Sequence, residues 1–316
     1  MKLAVLDDYQ GVALDMADWS PVQGALEVTV FEHHLGDLEA VASALQDFEI
    51  VCAMRERTPF PRALFERLPK LRLLVSTGPR NASIDLVAAA EHKVTVCSTE
   101  SMPRPPAEHT WALILAAARH VPAEDRRMRE GGWQRTIGTD LAGRTLGVIG
   151  LGRLGAIVAG IGRAFDMRIL AWSQNLTAAR ADECGATLVS KGELLAEADF
   201  VTIHLRLSER TRGLIGAAEL AAMKRSAWLV NTSRGPIVDE AALIDALERR
   251  VIAGAALDVY DLEPLPAEHP LRRLDNTVLS PHLGYVTTGT YQAFYRGTVE
   301  AVRAWLDGTP VRVLTP

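Results

Sequence analysis

Short apolar runs rich in Val, Ile and Leu recur along almost the whole chain. Most are followed by a stretch whose apolar positions repeat at helical spacing. In the N-terminal third the runs are 3–6, 28–31, 50–53, 73–76 and 94–97, with helical stretches at 38–45, 62–68 and 86–90. A second series starts at Thr145, with runs at 146–149, 168–172, 187–189, 200–204, 227–231, 253–257 and 277–279. Strands that are apolar throughout and alternate with helices predict parallel sheets covered on both faces, an α/β fold with two doubly wound units. Between the two series, residues 101–106 hold Pro103, Pro105 and Pro106, which predict a stiff, non-helical connector. An apolar helix over 107–119 follows. Pro122 then opens a charged helix that stops at Gly131 and Gly132. A last amphipathic helix is predicted over 290–306, ending before Gly308 and Pro310.

Composition narrows the picture. The 316 residues suffice for two domains of ordinary size. A net charge of -5 gives nucleic-acid binding no support. The strongly apolar stretch at 111–118 is too short to span a bilayer, so no membrane partner is expected. Cys52, Cys97 and Cys184 are scattered and lack ligand spacing. They predict reduced thiols in a cytoplasmic protein, and no metal site. His33 and His34 would face opposite ways in a strand, which also argues against a metal there. Trp133 and Trp172 are expected to be packing residues.

The stretch T-L-G-V-I-G-L-G-R-L-G (145–155) is the strongest local signal. Gly150, Gly152 and Gly155 stand at G-x-G-x-x-G spacing between a strand and a helix. The first glycine permits a tight turn, the second lets a pyrophosphate approach the backbone, and the third lets helix and strand pack closely. With Arg153 and Leu154, these glycines predict a dinucleotide site at a helix N-terminus.

In open α/β sheets, ligands bind beyond the C-terminal strand ends. That rule singles out Arg234 in N-T-S-R-G-P, Asp258 at the end of A-G-A-A-L-D, Glu263 just beyond it, and His282 in S-P-H-L-G. Gly78 and Arg55 follow strands of the first series; Arg55 is read as a substrate contact or a surface ion pair. His204, also at a strand end, reads as a hydrogen-bonded buried histidine. Reducing a 2-keto acid needs a hydride donor, a proton donor, a cation for the carboxylate, and a group that orients the acid. A nicotinamide supplies the hydride. His282 is of the residue type suited to give the proton. Glu263 is placed to hold the imidazole, and Arg234 offers a planar fork to carboxylate and carbonyl.

The same residues resemble the D-isomer-specific 2-hydroxyacid dehydrogenase family. The stretches that carry the resemblance are G-L-G-R-L-G (150–155), A-D-F-V-T-I-H-L (198–205), T-R-G-L-I (211–215), L-V-N-T-S-R-G-P-I-V-D-E (229–240), A-L-D-V-Y-D-L-E-P-L-P (256–266) and S-P-H-L-G (280–284), with weaker matches at S-T-G (76–78) and A-E-H-T (107–110). The resemblance implies a flavodoxin-like substrate domain, discontinuous over 1–99 and 287–316, and a Rossmann dinucleotide-binding domain over 100–286. It implies a catalytic triad of Arg234, Glu263 and His282, with Asp258 at the nicotinamide end. It also implies that Thr77 and Gly78 present backbone N–H groups to the substrate carboxylate. The cofactor would be NAD(H) or NADP(H), the substrate a small 2-keto or 2-hydroxy acid, and the assembly a homodimer built partly on 107–131. Formate or phosphite oxidation, and dinucleotide sensing of the corepressor type, are the alternatives the same scaffold allows.

Three positions depart from the family pattern. Ser173 stands where NAD-preferring members carry an acid on the ribose 2′-hydroxyl. No arginine follows it immediately, and Arg180 is the nearest in sequence. Arg80 replaces a frequent glycine, and Arg206 a frequent proline.

Overall fold

The computed structural model describes all 316 residues, which divide into two compact units: Met1–Met102 with Val286–Pro316, and Pro103–Tyr285.

In the first unit, β1 (Lys2–Val5), β2 (Glu27–Val30), β3 (Ile50–Ala53), β4 (Leu73–Ser76) and β5 (Thr95–Ser98) form a parallel sheet in the order β2-β1-β3-β4-β5. This is the flavodoxin-like order. Burial follows position in the sheet. Every residue of β3 and β4 is buried, whereas the edge strand β2 is half-exposed. Helices Leu38–Leu45 and Leu86–Glu91 start where Asp37 and Asp85 accept the N–H groups of Ala40 and Ala88.

The helix Thr288–Leu306 belongs to this unit. Its buried residues Tyr291, Phe294, Tyr295, Thr298, Val299 and Val302 lie three or four apart and so share one face. The chain then runs antiparallel to β5, with Ser98 N–H bonding Arg312 O and Leu314 N–H bonding Val96 O.

In the second unit, β6 (Thr145–Ile149), β7 (Arg168–Trp172), β8 (Thr187–Leu188), β9 (Phe200–Ile203), β10 (Trp228–Asn231), β11 (Gly254–Leu257) and β12 (Thr277–Leu279) form a second parallel sheet. The order is β12-β11-β10-β9-β6-β7-β8. Strand order reverses between β6 and β9, the switch point where a Rossmann sheet takes its ligand. Two buried clusters cover the sheet, one around Ile149, Val201, Leu229 and Leu243, the other around Trp111, Val148, Val158 and Ile169.

Two expectations need correction. Pro105 and Pro106 are not connector residues, because they form the first turn of the helix Pro105–Arg119. Proline fits there, since the first helical N–H groups have no partner to lose. Trp133 is 71% exposed and packs no core, whereas Trp172 lies against the first cluster. No helix is long and apolar enough to cross a membrane.

Candidate active site

The glycine loop follows β6. Gly150 has φ +99, and a Cβ on it would lie 2.7 Å from His204 O. A Cβ on Gly155 would lie 2.0 Å from Gly150 O, so only glycine lets the helix Arg153–Ala164 close onto its own turn. Gly152 is different. It caps that helix, no side chain bonds the first-turn N–H groups, and the space where its Cβ would stand is open. Unpartnered N–H groups facing open space at a helix N-terminus are what a pyrophosphate needs, so these residues fit a dinucleotide. Arg153 and Leu154 open the helix.

Three adjacent strands carry the polar residues. Asn231, Leu257 and Leu279 end β10, β11 and β12 in register, so the segments after them leave the sheet side by side. After β10, Asn231 Oδ1 accepts from Ser233 N–H at 3.0 Å and its Nδ2 donates to Arg234 O at 2.9 Å. Ser233 Oγ fastens the turn to Leu205 O at 2.6 Å. Arg234 Nη1 bonds Ser233 O at 2.7 Å. A Cβ on Gly235 would lie 2.1 Å from Tyr260 C, so the glycine lets the Arg234 turn press against the segment after β11.

Asp258, 1% exposed, organises that edge. Its Oδ1 lies 3.1 Å from His109 Nε2 and accepts from Ser280 Oγ at 2.6 Å and Leu283 N–H at 2.7 Å, while Oδ2 accepts from Gly284 N–H at 2.9 Å. Its backbone oxygen takes the N–H of His282 at 2.9 Å. Burial works against the charge, but the bonds from His109 and Ser280, with Leu283 N–H, outweigh it and hold the carboxyl below its usual range. Fixed in this way, the 280–284 segment keeps His282 at φ +54, a left-handed conformation that costs a histidine free energy.

His282 Nδ1 meets Glu263 Oε2 at 2.5 Å, and Glu263 Oε1 accepts Tyr260 N–H at 2.9 Å. The Tyr260 hydroxyl lies 3.0 Å from Ser280 O and 3.2 Å from Leu257 O. Burial, with the charges of Asp258 and Glu263, pushes that phenol up, so it stays protonated. A carboxylate bonded to Nδ1 leaves Nε2 as the nitrogen that exchanges a proton. His204 differs: burial pushes it down to about 4, and its Nε2 lies 3.0 Å from Thr202 Oγ1. It is neutral at physiological pH and serves packing.

A search by family model matches residues 111–284 to the D-isomer specific 2-hydroxyacid dehydrogenase NAD binding domain. The chain belongs to this family. A glyoxylate reductase of Aeropyrum pernix is 43% identical over 255 residues, covering 78% of this chain and 76% of the relative. A D-3-phosphoglycerate dehydrogenase of Synechocystis is 38% identical over 262 residues, 82% of this chain and 47% of the relative. The chain thus spans about half the length of the phosphoglycerate dehydrogenases it matches. A solved phosphoglycerate oxidoreductase of Vibrio cholerae superposes with TM-score 0.93 at 37% identity, covering 98% of this chain and 99% of that one.

In this family member the first unit holds Arg55, Thr77 and Gly78 in one knot. Arg55 N–H bonds Thr77 Oγ1 at 2.9 Å, and its Nη1 lies 3.2 Å from both Thr77 O and Arg80 O. The guanidinium covers Gly78, where a Cβ would meet it at 1.9 Å. The expected use of backbone N–H groups needs revision. Thr77 N–H already bonds Ala53 O at 3.0 Å, as strand-like pairing continues one residue past β4, and the Thr99 side chain takes the Gly78 N–H at 2.7 Å through Oγ1. His109 and Ser280 escaped the sequence reading. His109 sits in the A-E-H-T match, but nothing in sequence ties it to an aspartate 149 residues away.

Proposed function

We propose that this protein is an NAD(P)-dependent oxidoreductase that interconverts a 2-keto acid and its D-2-hydroxy acid. The observation that carries the reading is the Glu263–His282 pair, held by Asp258 at the sheet edge that also bears the glycine loop. Gly150, Gly152, Arg153, Leu154 and Gly155 would hold the dinucleotide, with Ser173 at its ribose and Asp258 at its nicotinamide end. The nicotinamide, when bound, gives or takes the hydride. In reduction, His282 donates the Nε2 proton to the carbonyl oxygen as the carbon becomes tetrahedral. In oxidation, the neutral ring takes the hydroxyl proton back through the same nitrogen. Glu263 accepts from Nδ1–H throughout, which fixes the ring and leaves Nε2 to exchange the proton. Arg234 holds the carboxylate and polarises the carbonyl. The 77–80 loop, braced by Arg55, is assigned to the substrate as well, through groups other than the Thr77 and Gly78 N–H donors.

The test is turnover of glyoxylate, hydroxypyruvate, pyruvate and phenylpyruvate with NADH and with NADPH, for wild type and His282→Gln. We expect turnover of at least one acid, reduced at least ~100-fold in the variant, with the alkaline fall of reduction abolished. No turnover of any of the four acids, or a variant within a factor of two of wild type, overturns the reading. We further read the protein as a cytoplasmic homodimer. Three unpaired cysteines support the location. The exposed apolar residues Val121, Met128, Trp133 and Ile137 support the assembly, and sedimentation equilibrium tests it.

A further inference from the structure

In a Rossmann unit the adenosine ribose lies beyond the second strand of the unit, here β7, where an acid selects the 2′-hydroxyl and a cation selects a 2′-phosphate. Ser173 brings no charge. Arg180 is committed elsewhere, its Nη1 bonding Glu183 at 3.0 Å along its own helix. A different arginine stands at this strand end. The 204–212 loop that leaves β9 is knit by Thr211, whose Oγ1 accepts Ser208 N–H at 2.8 Å and donates to Arg206 O at 2.7 Å. The N–H groups of Thr211 and Arg212 both close onto Ser208 O. This turn presents Arg210, with Nη1 3.4 Å from Oε1 of Gln174, the residue after Ser173. β6 lies between β7 and β9 in the sheet, so the Arg210–Gln174 contact spans the end of the strand that starts the glycine loop. No carboxylate lies within ion-pair distance of Arg210. The one acid beside it in sequence, Glu209, is exposed.

We propose that Arg210 is the cation that binds the 2′-phosphate of NADP(H), giving this enzyme a preference for the phosphorylated cofactor. The inference rests on the dinucleotide site proposed above. The strand end has lost the carboxylate that would repel a phosphate, and a guanidinium with no acid partner faces it from across the switch point. Ser173 Oγ and the Gln174 amide add neutral donors, and a planar guanidinium suits phosphate oxygens. The arginine arrives from the β9 loop, so no inspection of the residues next to Ser173 would find it.

The experiment is calorimetric titration of the full chain with adenosine 2′,5′-bisphosphate and with AMP, which share every group except the 2′-phosphate. Wild type is expected to bind the bisphosphate at least ~10-fold more tightly, an advantage that shrinks as salt rises. Arg210→Gln should remove the advantage and leave AMP affinity unchanged, whereas Arg180→Gln should keep it. Equal affinities in wild type, or a preference that survives Arg210→Gln, overturns the assignment. Failure of wild type to bind AMP, the bisphosphate and NADH alike instead overturns the dinucleotide site on which the assignment rests.

Discussion

Asp258→Asn is the substitution for which the structure makes the most exacting demand. The two side chains are nearly identical in shape, so the change tests charge and donor direction alone. Oδ1 faces three donors, from His109, Ser280 and Leu283, and Oδ2 faces Gly284 N–H. The asparagine keeps most bonds by placing its oxygen at the Oδ1 position. Its amide then points a donor at Gly284 N–H, leaving a buried N–H unsatisfied at a cost of about 1–3 kcal/mol. The remaining bonds lose their charge assistance, about 1 kcal/mol each. Burying a neutral amide in place of a carboxylate returns part of that sum. A net loss of about 3 kcal/mol is expected in the second unit. Trp111, Trp133, Trp172 and Trp228 lie in that unit, so urea unfolding followed by their fluorescence reads it.

The pH dependence adds a second check. Asp258 is held below the usual carboxylate range, so its contribution is complete above the unfolded value of about 3.9. That contribution is lost only as pH falls through the lower folded value. The gap between wild type and variant should therefore stay constant from pH 5 to 8 and narrow in stronger acid, within about the range where the carboxylate titrates. A gap under about 1 kcal/mol at neutral pH, or one that widens on acidification, would refute the account.

Arg234→Lys should cost about 2–4 kcal/mol in kcat/KM, since an ammonium cannot copy the fork; steady-state kinetics within a factor of two of wild type would remove Arg234 from the chemistry. Gly155→Ala places a Cβ 2.0 Å from Gly150 O, so NADH affinity by fluorescence titration should fall at least ~10-fold, and an unchanged affinity would show that the turn yields. His204, pushed down to about 4 by burial, favours the folded state only while neutral. Its contribution is full above the ordinary value of about 6.5 and is lost as pH falls toward 4, so between those values wild type should lose about 1–2 kcal/mol more than His204→Asn by urea unfolding. Equal losses would place the acid sensitivity elsewhere.

The strands were readable because a buried parallel strand is predominantly apolar, and β3, β4 and β6 are short runs of that kind. Their ends shifted by about a residue where pairing, not hydrophobicity, sets the limit. Gly150, Arg234, Glu263 and His282 stand out in the sequence as candidates because strand-end position and residue type together point to chemistry. Contacts between distant segments were not. Asp258 declared itself as a strand-end acid, but its donors come from a helix and a loop that no local pattern joins to it. Arg180 looked closest to the ribose because it is close in sequence, while the guanidinium at that strand end is Arg210. Prolines misled for a related reason: the same residue type stiffens a connector and starts a helix, and only the following turn of backbone tells the two apart.

The return of the helix Thr288–Leu306 to the first unit has a consequence for how the protein emerges from the ribosome. Tyr291, Phe294, Tyr295 and Val302 are core residues of a unit whose strands are all made before residue 99. That core stays open until the helix Thr288–Leu306 arrives, so the usual N-terminal-first order is inverted. The contiguous segment Pro103–Tyr285 is complete earlier and can fold while the N-terminal sheet still waits for its last helix. A released chain truncated at Tyr285 should therefore protect the dinucleotide-binding unit from protease while the earlier residues remain open to cleavage. During synthesis it is the N-terminal segment, with its five apolar strands, that needs shielding by chaperones.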